Sequence, residues 1–301
     1  MKPTITGFFD QNGKKSFEEQ IELVKKHQID VLCLRYYNGE KLIELSESNM
    51  KKMILLLKSE RIKVGIIDPL IKSYDLYDDR KHNSAVDEFK YMIRMADKLK
   101  ASHLYLRLPI INDVIREYPE IEKRLETYFD FAAKNNKKII LLPELNQKAN
   151  IYAYIIKKLK VNHVTVAFDP VYFMMNNEST TTVYRLLKNN IGAVRTIDAD
   201  QHGSPKLIGY GKTDSISILK RLIRDRYQNF LLIDNHFHEE IFNESTKKQG
   251  FFKKLFSSEK KKKATIKQDL TRKIFPNEET KNATEDDILE NQIKVLKVIF
   301  K

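Results

Sequence analysis

The 301-residue sequence contains a single cysteine, Cys33, which excludes any intrachain disulfide and any zinc site built from several cysteines. That residue lies in the apolar run Val31-Leu32-Cys33-Leu34 and reads as a small buried hydrophobe rather than a reactive thiol. No apolar run approaches the ~18 to 20 residues that a membrane span needs. The opening residues, Met1 to Gly7, lack the apolar stretch and small-residue cleavage site of a secretory leader, so a cytoplasmic protein is expected. Negative charge is in short supply: 41 Asp and Glu stand against 54 Lys and Arg, a net charge of +13. Such an excess points to nucleic acid, an anionic membrane or an anionic substrate, and its location matters more than its size. At 42% hydrophobic and 32% charged, the chain is neither disordered nor membrane-embedded as a whole.

What the chain has in abundance is alternation. Eight apolar runs rich in β-branched residues are separated by segments of helical period, which is the pattern of βα units. The predicted strands are Thr4 to Phe9, Asp30 to Tyr36, Lys63 to Ile67, His103 to Leu108, Lys138 to Leu142, His163 to Phe168, Gly192 to Thr196 and Phe230 to Asp234. Helix starts are legible at Ser16-Phe17-Glu18-Glu19, a capping box, and at the hydroxyls of Ser46 and Ser84. A last helix is predicted over Thr284 to Phe300, with Ile288, Ile293, Leu296, Ile299 and Phe300 on one stripe.

Residues 241–281 differ in composition, with twelve Lys or Arg against five Asp or Glu, a net +7. Setting these 41 residues aside leaves 260 for eight βα units, close to the ~250 typical of a (β/α)₈ barrel. The expected architecture is one α/β TIM-barrel domain over residues 1–301, with a Lys-rich and flexible insertion between strand eight and the last helix. Eight strands favour a closed barrel over an open doubly wound sheet.

In such a barrel, reactive groups come from the C-terminal strand ends and the loops beyond them. Every run ends in charge: Asp10, Arg35, Asp68 with Lys72, Arg107, Glu144, Asp169, Arg195 with Asp198, and Asp234 with His236 and His238. Converging carboxylates repel unless a cation separates them. Glu144, Asp169 and Asp234 with an imidazole would suit a divalent ion such as Mn, Mg, Co or Zn. Equally, Arg35, Arg107 and Arg195 could neutralise the acids as an ion-pair network around the barrel mouth.

The stretches Ile29 to Gly39 (IDVLCLRYYNG) and Lys63 to Lys72 (KVGIIDPLIK) resemble the second and third strands of sugar phosphate isomerase/epimerase-like proteins. These belong to the xylose isomerase-like, or family 2 AP endonuclease, TIM-barrel superfamily. The resemblance continues through LYLR at 104–107, LPELN at 142–146, FDP at 168–170, VRTIDA at 194–199, GYG at 209–211 and LIDNH at 232–236. It spans nearly all of the chain except the basic segment. It implies proton abstraction beside a carbonyl of a small hydroxylated or phosphorylated substrate, with Glu144 and Asp234 as base and acid, assisted by a divalent metal.

The implied metal ligands are Glu144, Asp169 and Asp234, with His236 or His202 in place of an imidazole lost at strand seven. There the family's His is Arg195, whose guanidinium has no lone pair to donate. Without the metal, Arg195 could supply the cation's electrostatic role, holding a carboxylate or phosphate. A barrel that has lost turnover and binds a sugar-like or anionic ligand is the alternative. Endonuclease-like phosphodiester hydrolysis, the third reading, needs more strand-end histidines than this chain supplies. Arg35, Lys72 and Arg107 could grip the substrate or form surface ion pairs, and Gly209 and Gly211 could cradle a phosphate or simply punctuate a turn. The stretch 247–273 interleaves Phe251, Phe252, Leu255 and Phe256 with lysines. It could meet an anionic membrane or nucleic-acid phosphates, or be a solvated mobile loop.

Overall fold

The computed structural model describes residues 2–144, 147–233, 237, 241–242, 253–278 and 281–301, with backbone only over 253–262. Eight parallel strands form the central sheet: β1 (Thr4–Gly7), β2 (Val31–Leu34), β3 (Lys63–Ile67), β4 (His103–Leu106), β5 (Lys138–Leu141), β6 (Val164–Phe168), β7 (Ile191–Arg195) and β8 (Phe230–Ile233). Each predicted strand is present, one or two residues shorter at some ends, and β7 begins one residue earlier than expected. Seven parallel ladders run from β2 through β3, β4, β5, β6, β7 and β8 to β1. The barrel is thereby closed except at the β1–β2 seam, where the Thr6 hydroxyl donates to the Val31 carbonyl at 2.7 Å.

Alternation along the strands divides the apolar residues between two cores. Cys33, Ile66, Tyr105, Ile140, Ala167, Ala193 and Leu232 fill the barrel interior. Their neighbours, such as Leu32, Ile67, Leu104, Ile139 and Val166, face the surrounding helices. Cys33 is fully buried, and burial pushes its thiol up to about 12, so it serves as packing.

The helices are α1 (Phe17–Lys26), α2 (Glu47–Ser59), α3 (Asp79–Lys98), α4 (Tyr118–Lys134), α5 (Ala149–Leu159), α6 (Pro170–Met175), α7 (Thr180–Leu187), α8 (Ser215–Arg224), α9 (Lys253–Ile274) and α10 (Glu285–Ile299). The Ser16–Glu19 box starts α1, Ser46 caps α2, and Thr284 with Asp287 forms a second box at α10. The start predicted at Ser84 is corrected. Asp78 caps α3 by accepting from the Lys81 amide at 2.9 Å, which places Ser84 inside the helix, its hydroxyl 3.3 Å from Glu88. Asp78 offers its carboxylate one turn and a half earlier, and the buried face from His82 to Ala96 extends the helix back to it.

Within the segment read as a mobile loop, residues 253–274 form α9. Ile266, Leu270 and Ile274, spaced by four, put one stripe against Leu207, Phe237, Ile241 and Ile288. No described helix is long and apolar enough to cross a membrane.

Candidate functional site

The charges that follow β1 to β7 stand at the same rim, and they are joined in pairs. From β1 and β2, the Arg35 Nε lies 3.0 and 2.9 Å from the two oxygens of Asp10, which is fully buried. The Arg35 guanidinium also lies 5.2 Å from the centre of the Phe8 ring. From β3 and β4, Arg107 grips Asp68 with both terminal nitrogens, at 2.7 and 2.9 Å, and its Nε stands 3.0 Å from Glu144 Oε1. Burial alone would raise the Asp68 carboxyl, but the Arg107 fork outweighs it and holds the group below its ordinary value. From β6 and β7, Arg195 Nη1 donates to Asp169 Oδ2 at 2.6 Å.

Two carboxylates hold local structure as well. Asp169 Oδ1 accepts from the Tyr172 amide at 2.9 Å and so caps α6, with Pro170 following at the first helical position. The second oxygen of Glu144 accepts from the Ser73 hydroxyl, which reaches across from the loop after β3. The Glu144 backbone is fixed too, since its amide donates to the Tyr152 hydroxyl at 3.2 Å, and that hydroxyl donates to Gln147 at 2.8 Å.

Between these pairs lies an open cleft of about 710 Å³. Phe8, Tyr105, Tyr172 and Met175 give it apolar walls, while Arg107, Glu144, Asp169 and Arg195 give it polar ones. Burial raises the Tyr105 phenol well above its ordinary range, so it presents a protonated hydroxyl. The volume falls within the ~300–1,000 Å³ range of small-molecule sites.

Arg35, Arg107, Glu144, Asp169 and Arg195 thus meet at the cleft, whereas Lys72 is exposed and not among its lining residues. His202 is exposed on the hairpin after β7 and pairs with Gln201. Asp234, His236 and His238 lie outside the described residues. Gly209 and Gly211 donate their amides, at 2.9 and 3.0 Å, to Asp198 Oδ2. Asp198 is 2% exposed and also accepts from the Ala199 and Thr213 amides and the hydroxyls of Thr213 and Ser215. The donors a phosphate would need are therefore taken by a carboxylate of the chain itself.

Sequence reading did not find Ser73, Tyr172 or Met175. Each lies in a loop or short helix after its strand, and no spacing rule places such residues opposite Glu144 or Asp169.

The described carboxylates do not fit a divalent ion. Both oxygens of Asp169 and one of Glu144 already accept from protein donors, and the other Glu144 oxygen is ion-paired with Arg107 at 3.0 Å. Among the described residues, no group of three or more His, Cys, Asp or Glu side chains is placed to hold one.

No protein-family model matches the chain, and no curated protein matches it. Solved structures do. D-psicose 3-epimerase from Clostridium cellulolyticum H10 with D-tagatose superposes with a TM-score of 0.69 at 12% identity, covering 100% of both chains. A xylose isomerase-like TIM-barrel protein from Mycobacterium smegmatis in complex with magnesium gives 0.65 at 11% identity over 99% of this chain and 96% of that one. The IolI protein with a bound zinc atom gives 0.64 at 17% identity over 91% and 99%. The fold is that of the xylose isomerase-like TIM barrels, as the strand-end motifs anticipated. These three neighbours are thus a sugar epimerase, a xylose isomerase-like protein and the IolI protein, the last two solved with magnesium and zinc.

Proposed function

We propose that the barrel mouth binds a small, uncharged, hydroxylated carbonyl compound and moves a proton at the carbon beside its carbonyl, an epimerase or isomerase reaction. The supporting observation is that Glu144 is held on the cleft wall between Arg107 and Ser73, facing the cleft beside Arg195. Glu144 takes the proton, the C–H electron pair becomes the carbon–carbon π bond of an enediolate, and the oxygen that gains charge is met by the Arg195 guanidinium. Delivery of a proton to the same carbon from the opposite face completes epimerisation, whereas delivery to the former carbonyl carbon, with the neighbouring hydroxyl proton passing to the former carbonyl oxygen, completes isomerisation. Arg107 acts as a positioning residue, because its contacts with Asp68 fix the nitrogen that Glu144 meets. Three guanidinium groups face three carboxylates in the lining, so the described cleft carries no net charge and suits a polyol better than a phosphate ester.

The test is exchange in deuterated water, followed by NMR over a panel of ketoses and aldoses, with and without a chelator. Deuterium should enter beside the carbonyl, survive chelation and disappear in Glu144→Gln. Exchange that requires added Mn²⁺ would remove the arginine-based mechanism. Thermal shifts by sugars without any exchange would favour the reading as a ligand-binding barrel without turnover.

We also propose that residues 247–273 contact an anionic surface. Lys253, Lys254 and Lys260 to Lys263 gather on the N-terminal half of α9, beyond its packed stripe of Ile266, Leu270 and Ile274. Salt-dependent co-sedimentation with anionic liposomes and with nucleic acid, comparing the intact chain with one lacking 247–273, distinguishes a membrane from a nucleic-acid partner.

A further inference from the structure

At the opposite end of the barrel, where the strands begin, lies a second cavity of about 610 Å³ between the C-terminal ends of α2 and α3. Its walls are the side chains of Ile54, Leu57, Val64, Leu99 and Phe230, with Gly65 at the back. A Cβ on Gly65 would stand 2.7 Å from Val31 and 3.0 Å from Phe230, so this wall has no room for a side chain. The only uncharged polar side chains among the lining residues are the hydroxyls of Thr4 and Ser102.

The rim has a different chemistry. Lys58, Lys63, Lys98 and Lys100 all line the opening, all are exposed, and none forms an ion pair among the described residues. The nearby acids of the same elements are engaged elsewhere: Glu60 with Lys25, and Asp97 with Lys137. Lys58 and Lys98 occupy the last turns of α2 and α3, where a cation complements the helix dipole. That accounts for two of the four. Lys63 opens β3 and Lys100 follows the end of α3, and helix electrostatics asks for neither.

An apolar cavity with four unpaired ammonium groups at its lip is complementary to a molecule that is apolar at one end and anionic at the other. Lysine suits this role because its flexible stem can follow a head group of variable position while its own methylenes extend the apolar wall. The cavity is recessed between two helices, which selects a single free molecule over a bilayer surface.

We propose that this cavity is a second ligand site, for a small amphiphilic carboxylate. Its hydrocarbon body lies against Ile54, Leu57, Val64, Leu99 and Phe230, and its charged end meets Lys63 and Lys100. The site is separate from the barrel mouth and stands independently of the reaction proposed there.

Calorimetric titration of the full chain with decanoate, kept below its aggregation concentration, tests this. Decanoate should bind at one site, at least tenfold more tightly than decyltrimethylammonium, which has the same tail and the opposite charge. The exposed double variant K63E/K100E should weaken decanoate at least tenfold while leaving sugar-induced thermal shifts unchanged. Photolabelling with a diazirine-bearing decanoate should mark peptides covering 51–65 or 98–103. Equal binding of the two amphiphiles, unchanged affinity in the double variant, or label confined to other peptides would overturn the proposal.

Discussion

Arg195 Nη1 stands 2.6 Å from Asp169 Oδ2, so a guanidinium from the end of β7 occupies the carboxylate that ends β6. Metal-binding neighbours of the same fold are known, yet in this chain a fixed organic cation holds the place beside that acid. That pairing sets what the site can do. An arginine cannot exchange, cannot be chelated away and cannot bind a substrate oxygen through an empty coordination position, but it can donate two parallel hydrogen bonds.

Replacing Arg195 by His is expected to create divalent-ion binding. The change frees one oxygen of Asp169 and adds a lone pair at the same strand end. Thermal unfolding with Mn²⁺ or Zn²⁺ should show a shift of several degrees in the variant and none in the parent chain, and metal analysis after gel filtration should find about one ion per chain. A variant that binds no ion would show that Asp169 is committed to capping α6 rather than available.

The Arg107–Asp68 pair is expected to be a stability element as well as a positioning one. Asp68 is 4% exposed, and removing its carboxylate leaves a mostly buried guanidinium with Glu144 and one long bond to the Ile71 carbonyl. Asp68→Ala should cost ~3 kcal/mol or more, because breaking a buried pair strands the other charge. Adding Arg107→Leu should recover part of that loss, and a double-mutant cycle in urea measures how much.

Asp198 is expected to matter for folding of the loop after β7 rather than for substrate binding. Asp198→Ala would leave the Gly211 and Thr213 amides without their acceptor and the Gly209 amide with the Ser215 hydroxyl only, and should cost ~3 kcal/mol. Gly211→Ala should be similarly damaging, since a Cβ there falls 2.0 Å from Asp198 Oδ1 and 2.5 Å from the Ala199 carbonyl. Both effects are read by equilibrium unfolding. Loss of sugar binding without loss of stability would return this turn to the ligand site.

Stability should fall with acid through His103. Burial, assisted by nearby Lys138, lowers its imidazole from 6.5 to about 4. Between those two values the unfolded chain binds a proton that the native state does not, so this contribution is present above about 6.5 and is lost as the pH drops towards 4. The slope from this one group is at most ~1.4 kcal/mol per pH unit. His103→Gln should flatten the dependence in urea titrations at pH 7, 5.5 and 4.5, and an unchanged profile would show that the ring titrates normally.

The sequence carried the fold because its determinants are local and repeated. A short apolar run rich in β-branched residues reads as a strand buried on both faces, and eight of them with helical segments between have few ways to bury both faces. The cap of α1 was legible for the same reason, since Ser16 and Glu19 satisfy one another within a single turn. Ser84 misled because an equally good cap, Asp78, lay upstream, and only the packing of α3 decides between them.

The rim charges were legible as a set, since each follows directly on a strand. Their partners were not. Sequence order left metal coordination and an ion-pair network open, and that choice turns on where guanidinium groups lie in space. Arg107 reaches Asp68 and Glu144, which are 39 and 37 positions away, only because β3, β4 and β5 are neighbours in the barrel. Likewise nothing near Gly209 or Gly211 indicated that Asp198 would fill their amides, or that four lysines from two helix ends and one strand start would line one cavity. The sequence by itself determined eight βα units and a charged barrel mouth, because periodicity and strand ends are properties of short stretches. Tertiary structure decided which charge meets which, because electrostatic pairing depends on distances that the chain acquires only when the barrel closes.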